Sequence, residues 1–302
     1  MKFFTVATYE DGYYSVLKQS AKRNKIKLDV LGWGEDYYGH KFKTDKTIEY
    51  LKKLDPNEIV LFLDGFDSMF LKNKDIIKKR FLKMKVKYIF SLDFRSTIDH
   101  NYMASFFSSN TKLCIYKGKN VVLNTGMFIG YAGELLSLFE KSNEYVNEQN
   151  KFSNQRVLQD MCRDGIEIPI DYNNYLFYNL DPTFISNDDV KIKNKEVRVF
   201  NKNLFGDKYA TPCVISAPGN TSMDKLCKTL NFKHNPENNN RDMMKYIADQ
   251  MKVHKNSPFF SYLEIIKFLS ILYFLYLILI FVSNAKISRI DKKVNPIINF
   301  IR

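Results

Sequence analysis

Six residues, Ile59-Val60-Leu61-Phe62-Leu63-Asp64, carry an apolar, strand-forming run straight into a carboxylate. A second carboxylate, Asp67, follows after Gly65 and Phe66. The run predicts a buried strand, and ending it on charge needs a physical reason. Two readings compete. In one, Asp64-Gly65 is a strand-end turn and Asp67 caps the next segment. In the other, the paired carboxylates hold a hard divalent cation, Mn²⁺ or Mg²⁺, which in turn holds a diphosphate. So short a motif leaves both open, and the rest of the chain has to decide.

The flanking pattern is that of an α/β domain. Phe3–Thr8 reads as a first strand, its apolar run too short for the core of a signal peptide. Residues 11–23 place Tyr14, Leu17 and Ala21 at helical spacing, and Ile26–Leu31 returns as a strand. Such a β-α-β opening predicts a parallel sheet. The loop Gly32-Trp33-Gly34-Glu35-Asp36-Tyr37-Tyr38-Gly39 combines glycines with aromatics, a composition suited to a ligand wall at the carboxyl edge of a sheet. A helix is expected over Thr44–Leu54, then the strand Ile59–Leu63, a helix over Lys74–Lys83 and a strand over Tyr88–Leu92. Val121–Gly130 reads as a second buried strand interrupted by Asn124-Thr125-Gly126. Helices are expected at Ala132–Val146 and Asn154–Arg163. Short strands follow at Glu167–Ile170, Tyr175–Tyr178, Val190–Ile192, Val197–Phe200 and Cys213–Ser216. The whole predicts a mixed α/β domain with a mainly parallel core.

The 302 residues carry 46 basic and 33 acidic side chains, a formal charge of +13. The excess is mostly Lys scattered beside Asn and Ile, a bias that an AT-rich genome produces without any partner. No arginine-rich run or DNA-binding motif accompanies it, so no nucleic-acid partner is expected. The cysteines, Cys114, Cys162, Cys213 and Cys227, match neither a zinc site nor a compact disulfide framework. Free thiols in a reducing compartment are the expectation.

After a polar linker and amphipathic segment over 236–257, Phe268–Val282 runs fifteen residues without a charge. At about 1.5 Å per residue that spans roughly 22 Å, and starting at Ile265 with Lys267 snorkelling extends it to about 27 Å. A single-pass membrane helix over 258–283 is expected, followed by a basic tail over 284–302. The five basic residues of that tail favour a cytosolic tail, whereas the lack of a signal sequence favours a cytosolic large domain. The second argument gives a carboxyl-terminal anchor with the domain, residues 1–235, in the cytosol.

Val6-Ala7-Thr8, Leu31 to Tyr37, Val60 to Asp67, and Leu123-Asn124-Thr125-Gly126-Met127-Phe128-Ile129-Gly130 occur in that order. Together they resemble the glycosyltransferase domain of the procollagen lysyl hydroxylases and its giant-virus relatives, over roughly residues 2–232. The resemblance implies a GT-A, Rossmann-type fold, a UDP-sugar donor, Mn²⁺ (or Mg²⁺), and hydroxylysine or galactosyl-hydroxylysine as acceptor. It implies Asp64 and Asp67 as metal ligands, with Phe66 and Tyr37 on the two faces of the uracil. Val6 and Thr8 would then lie near the uridine, and Asn124, Thr125 and Gly126 beside the sugar.

Two departures stand out. Ser216 occupies the place of the family's metal-binding histidine. Lys151-Phe152-Ser153-Asn154-Gln155 replaces an acidic run ending Asp-Asp-Gln, so only Gln155 is kept, with Asn154 beside it. Ser153 and Asn154 are also good helix caps. The sequence therefore supports two functions: a metal-dependent glycosyltransferase acting on a protein or glycan, or a membrane-anchored nucleotide-sugar-binding or scaffold protein that keeps the fold without turnover.

Overall fold

The computed structural model describes residues 1–93, 114–116, 119–148, 150, 153–180, 190–193, 196–200, 209–218 and 221–235, together with residues 270, 273 and 276. The chain divides into two units, Met1–Tyr246 and Ile247–Arg302. In the second, Ser270, Tyr273 and Tyr276 are helical and exposed. The rest of the expected membrane segment lies outside the described residues, among which no helix is long and apolar enough to cross a membrane.

The first unit is built on a five-stranded sheet of β1 (Lys2–Val6), β2 (Leu28–Leu31), β3 (Ile59–Leu63), β5 (Tyr88–Leu92) and β8 (Leu123–Tyr131), in the order β2-β1-β3-β8-β5. The pairings β1–β2 and β1–β3 are parallel, as the β-α-β opening requires. β8 enters between β3 and β5 in the opposite direction, so both of its pairings are antiparallel. The sheet is therefore mixed rather than mainly parallel. β8 is also continuous through Asn124-Thr125-Gly126. Its pairing with β5 nevertheless breaks there, as expected: Phe90 faces Phe128 but Ser91 faces Asn124, so Thr125, Gly126 and Met127 bulge out of that ladder.

Alternate residues of the sheet feed two cores. Phe4, Phe62, Phe90 and Phe128 form one aromatic stack, with Phe62 and Phe128 parallel at 4.8 Å. It is covered by α2 (His40–Leu51), α4 (Ala132–Ser142) and α5 (Asn154–Arg163). Phe3, Leu61, Leu63 and Ile129 face α1 (Tyr14–Arg23) and α3 (Lys74–Met84) on the other side. Burying each such side chain contributes about 1.5–3 kcal/mol. β3 is buried along its whole length, which is why it reads as an unbroken apolar run.

Smaller strands extend the edge that holds the carboxylates. β4 (Ser68–Phe70), β13 (Val214–Ser216) and β9 (Phe177–Asn179) make one sheet. β10 (Val190–Lys193), β11 (Glu196–Phe200) and β12 (Tyr209–Ala210) make another. β6 (Cys114–Tyr116) and β7 (Lys119–Val121) form a hairpin. A short helix, α6 (Asp224–Thr229), completes the unit.

Several expected boundaries move for local reasons. α1 starts at Tyr14, because Gly12 adopts a positive φ and accepts its turn from the Asp11 side chain, whose Oδ1 takes the Gly12 N–H at 2.7 Å. α2 begins four residues early, directly after Gly39 at φ 103°. The expected strand over Glu167–Ile170 reduces to a single bridge between Ile170 and Phe90.

The cysteine expectation is overturned in part. Cys114, opening β6, and Cys162, in the last turn of α5, form a disulfide with Cα atoms 5.3 Å apart. That separation lies within the usual range for a bridge. The 48-residue separation hides the pair in sequence, since only the packing of α5 on the hairpin brings it together. Cys213 and Cys227 are free and buried.

Candidate active site

The two aspartates stand at the carboxyl end of β3, where the chain turns into β4. Asp64 is locked to the neighbouring strand by its own N–H, which donates to the Gly126 carbonyl at 2.8 Å. Asn124 folds back on the same turn, its Oδ1 accepting the Gly126 N–H at 2.7 Å. A Cβ on Gly126 would come within 2.8 Å of both the Asn124 Oδ1 and the Asp64 Oδ2. Only glycine lets the carboxylate and the amide approach this closely.

Asp67 Oδ1 accepts the hydroxyls of Ser68 and Ser216, each at 3.1 Å. Ser216 reaches it because β13 pairs with β4 in a register that sets Ser216 opposite Ser68. Asp64, Asp67 and Ser216 thus offer oxygen donors only, the type that Mn²⁺ and Mg²⁺ prefer. Among the described residues no three His, Cys, Asp or Glu side chains cluster as a metal cage. Two carboxylates with the remaining positions left to phosphate and water still suit such an ion.

Lys43, on α2, is a member of this site that sequence reasoning missed. Its ammonium pairs with Asp64 Oδ1 at 2.7 Å and lies 4.9 Å above the Phe62 ring. The side chain is only 12% exposed.

The aromatic residues split into two groups. Phe66 packs on Tyr9 at 5.7 Å and on Tyr14 at 6.5 Å, and Tyr14 in turn stacks on Trp33 at 5.2 Å. Tyr37 sets its ring edge-on to Phe42 at 5.6 Å. Its hydroxyl is pushed up to about 12, first by burial and then by the charge of Asp64, although the ring as a whole is half exposed. Tyr37 thus belongs on the Asp64 side of the site. Val6 and Thr8 are buried where β1 ends, and the Thr8 carbonyl accepts the Gly34 N–H at 2.8 Å, closing the glycine-aromatic loop over the strand.

On the other flank, Ser153 caps α5 by accepting the Arg156 N–H at 3.3 Å. Thr125 donates its hydroxyl to the Asn154 Oδ1 at 3.0 Å, and the Gln155 amide donates to Asp93 Oδ2 at 3.1 Å. Gln159 joins the same helix to β8 by accepting the Leu123 N–H at 3.1 Å. Asp93 was not among the expected site residues. The signal for it was present: Tyr88–Leu92 runs into Asp93 as Ile59–Leu63 runs into Asp64.

The family profile described as the PLOD GT domain matches residues 1–241. Procollagen-lysine,2-oxoglutarate 5-dioxygenase 1 of Gallus gallus is 26% identical over 230 residues, covering 72% of this chain and 30% of its own length. The Homo sapiens enzyme of the same name is 28% identical over 229 residues, with the same coverage. The Drosophila melanogaster procollagen-lysine,2-oxoglutarate 5-dioxygenase is 27% identical over 238 residues, covering 74% of this chain and 31% of its own. The chain therefore spans under a third of the length of these relatives. Among solved structures, the galactosyltransferase LgtC in complex with donor and acceptor sugar analogs is 13% identical with a TM-score of 0.42, covering 72% of this chain and 87% of its own. A glycosyltransferase involved in glycosylation of the major capsid of PBCV-1 is 11% identical with a TM-score of 0.42, covering 76% and 98%. The profile takes in most of the chain, including Asp64, Asp67, Asn124 and Gln155, and the chain belongs to the family of the PLOD GT domain, the glycosyltransferase-type domain of the procollagen lysyl hydroxylases.

Proposed function

We propose that this chain is a GT-A-type, metal-dependent glycosyltransferase that moves a sugar from a UDP-sugar to a hydroxylysine-like protein acceptor or to a sugar already attached to it. The observation that carries the reading is the seam between Asp64 and Gly126. It sets an acidic, oxygen-only donor set, a half-buried lysine and the Asn124–Gly126 segment side by side. Asp64, Asp67 and Ser216 would hold Mn²⁺ or Mg²⁺, and the metal when bound supplies charge neutralisation for a leaving diphosphate. Lys43 adds a second, protein-borne positive charge at Asp64. Tyr37 and Phe66 offer aromatic faces for a uracil.

The full chain, incubated with Mn²⁺ and a panel of UDP-sugars and hydroxylysine-containing acceptors, is expected to release UDP. Asp64→Ala is expected to abolish that release while the protein still melts cooperatively. A wild-type chain that neither binds UDP nor releases it sinks the reading.

Ser216 in place of the family histidine favours a second reading, binding without turnover. In that case UDP binds calorimetrically but no sugar is transferred to any acceptor of the panel.

We also infer that the segment around Phe268–Val282 anchors the chain in a membrane. The Cys114–Cys162 disulfide fits an oxidising compartment. The basic residues after Val282 fit a cytosolic tail. Both favour the domain on the non-cytosolic side, and we adopt that orientation over the cytosolic one expected from the amino end.

A further inference from the structure

The residues at 153 and 154, where the family carries acidic side chains, are spent on local structure: Ser153 caps α5 and Asn154 accepts from Thr125. The kept glutamine, Gln155, leads elsewhere. Its amide donates to Asp93 Oδ2 at 3.1 Å, and the Asn124 amide approaches the same oxygen at 3.5 Å. Asp93 directly follows β5, just past the register shift, and is only 2% exposed. Its N–H donates to the Val122 carbonyl at 2.9 Å, so the backbone is tied to the segment entering β8. A carboxylate therefore lies beside the Asn124–Gly126 turn, supplied by a different element from the one that lost its acids.

A second observation points to a ligand here. Asn179, at the end of β9, is 4% exposed and donates its amide to the Ser91 Oγ at 3.2 Å and to the Leu92 carbonyl at 2.8 Å. Its carbonyl oxygen, Oδ1, is buried without a hydrogen-bond partner among the described residues. Ser91 Oγ in turn lies 3.1 Å from the Asn124 carbonyl and 3.3 Å from the Asn124 Oδ1. Buried acceptors are rarely left unmatched, and those that are commonly meet a water or a ligand. Asp93, Asn124, Gln155, Ser91 and Asn179 thus form one polar cluster, joined through Gly126 to Asp64.

We propose that Asp93 is the specificity-determining residue for the transferred sugar, accepting a hydrogen bond from one of its hydroxyls, with the Asn179 carbonyl as a second acceptor in the same cluster. A fixed carboxylate distinguishes sugars by where their hydroxyls point, because an epimer forfeits the hydrogen bond to it. Gln155 and Asn124 are the positioning residues that aim the carboxylate. The proposal rests on the UDP-sugar reading above and names the part of the site that reads the sugar.

The test separates the sugar from the nucleotide. Calorimetry on the full chain measures affinity for UDP and for each of several UDP-hexoses in the presence of Mn²⁺. For the wild type, one UDP-hexose is expected to bind more tightly than UDP. Asp93→Asn, which keeps the size and the polar contacts, is expected to erase that advantage, a loss of roughly ten- to a hundredfold, while UDP affinity stays within about twofold. Asp93→Glu restores the charge one methylene too far out and is expected to recover part of the advantage or shift it to another hexose. If Asp93→Asn leaves the advantage intact, or weakens UDP and UDP-hexose equally, Asp93 only braces α5 and the proposal is overturned. If Asp93→Asn does not fold, Asp93→Glu decides alone: an unchanged preference overturns it and an altered one supports it. A wild type that binds UDP with no preference among sugars overturns this proposal and leaves the nucleotide reading standing. A wild type that binds no UDP removes both.

Discussion

Asp67 shows how strand register places a polar contact. With Ser216 opposite Ser68, its carboxylate accepts from both hydroxyls. A serine hydroxyl is a weaker metal donor than a histidine nitrogen, so in the proposed metal site the two carboxylates would carry most of the affinity. Ser216→His is expected to tighten Mn²⁺ binding by about tenfold or more, read as the metal concentration needed to raise the melting temperature. An unchanged midpoint would mean that the ion is not held at β13. Asp64 and the Asn124–Gly126 segment were legible in the sequence because each breaks an apolar, strand-forming run, and Asp67 by its spacing from Asp64. Lys43 was not legible: it is one basic side chain among 46 Lys and Arg residues, and nothing local marks it as the one that crosses from α2 to Asp64. Asp93 lay between these cases, visible as a strand-ending carboxylate but with its partners far along the chain.

At the scale of elements, the strands β3 and β5 and the helix α5 came out of the sequence with the same ends that the structure has. Their hydrophobic pattern is strong and their caps are local. The direction of β8 did not, since a buried apolar run is the same whether it pairs parallel or antiparallel. The disulfide was equally hidden, because it depends on α5 lying against the β6–β7 hairpin. Its removal by Cys162→Ser is expected to destabilise the domain by about 2–4 kcal/mol, measured by denaturant unfolding. The remaining cysteines behave differently. Burial pushes the Cys213 thiol up to about 11 and the Cys227 thiol up to about 12, so neither offers thiolate at pH 8. A thiol reagent is expected to label neither in the native protein, two groups after unfolding without reductant, and four after unfolding with it. Four labelled groups without reductant would contradict the bridge.

Over the whole molecule, the last described stretch of the first unit returns to α1. Arg23 donates to the carbonyls of Leu230 and Asn231 and lies 3.8 Å over the Phe232 ring. Tyr13 donates to Asp224, which is also bonded to His234 at 2.9 Å. Met223, Leu226, Cys227 and Phe232 are buried in the same cluster as Val16. A chain stopped after residue 257 keeps all of these contacts. It is expected to fold and to stay in the supernatant after an alkaline carbonate wash of membranes, whereas the full chain stays in the pellet. A full chain that washes free would remove the anchor from the proposal.

The bridge between Cys114 and Cys162 also has a topological consequence. The backbone from one to the other is a covalent ring, and Asn124, Thr125, Gly126, Asn154 and Gln155 all lie on it. Asp64, Asp67 and Ser216 lie outside. The Asn124–Gln155 half of the candidate site is thus a closed loop of chain leaning against a linear half that carries the aspartates. A single protease nick within the loop leaves one molecule on a non-reducing gel, and the two fragments part only when the sulfurs do.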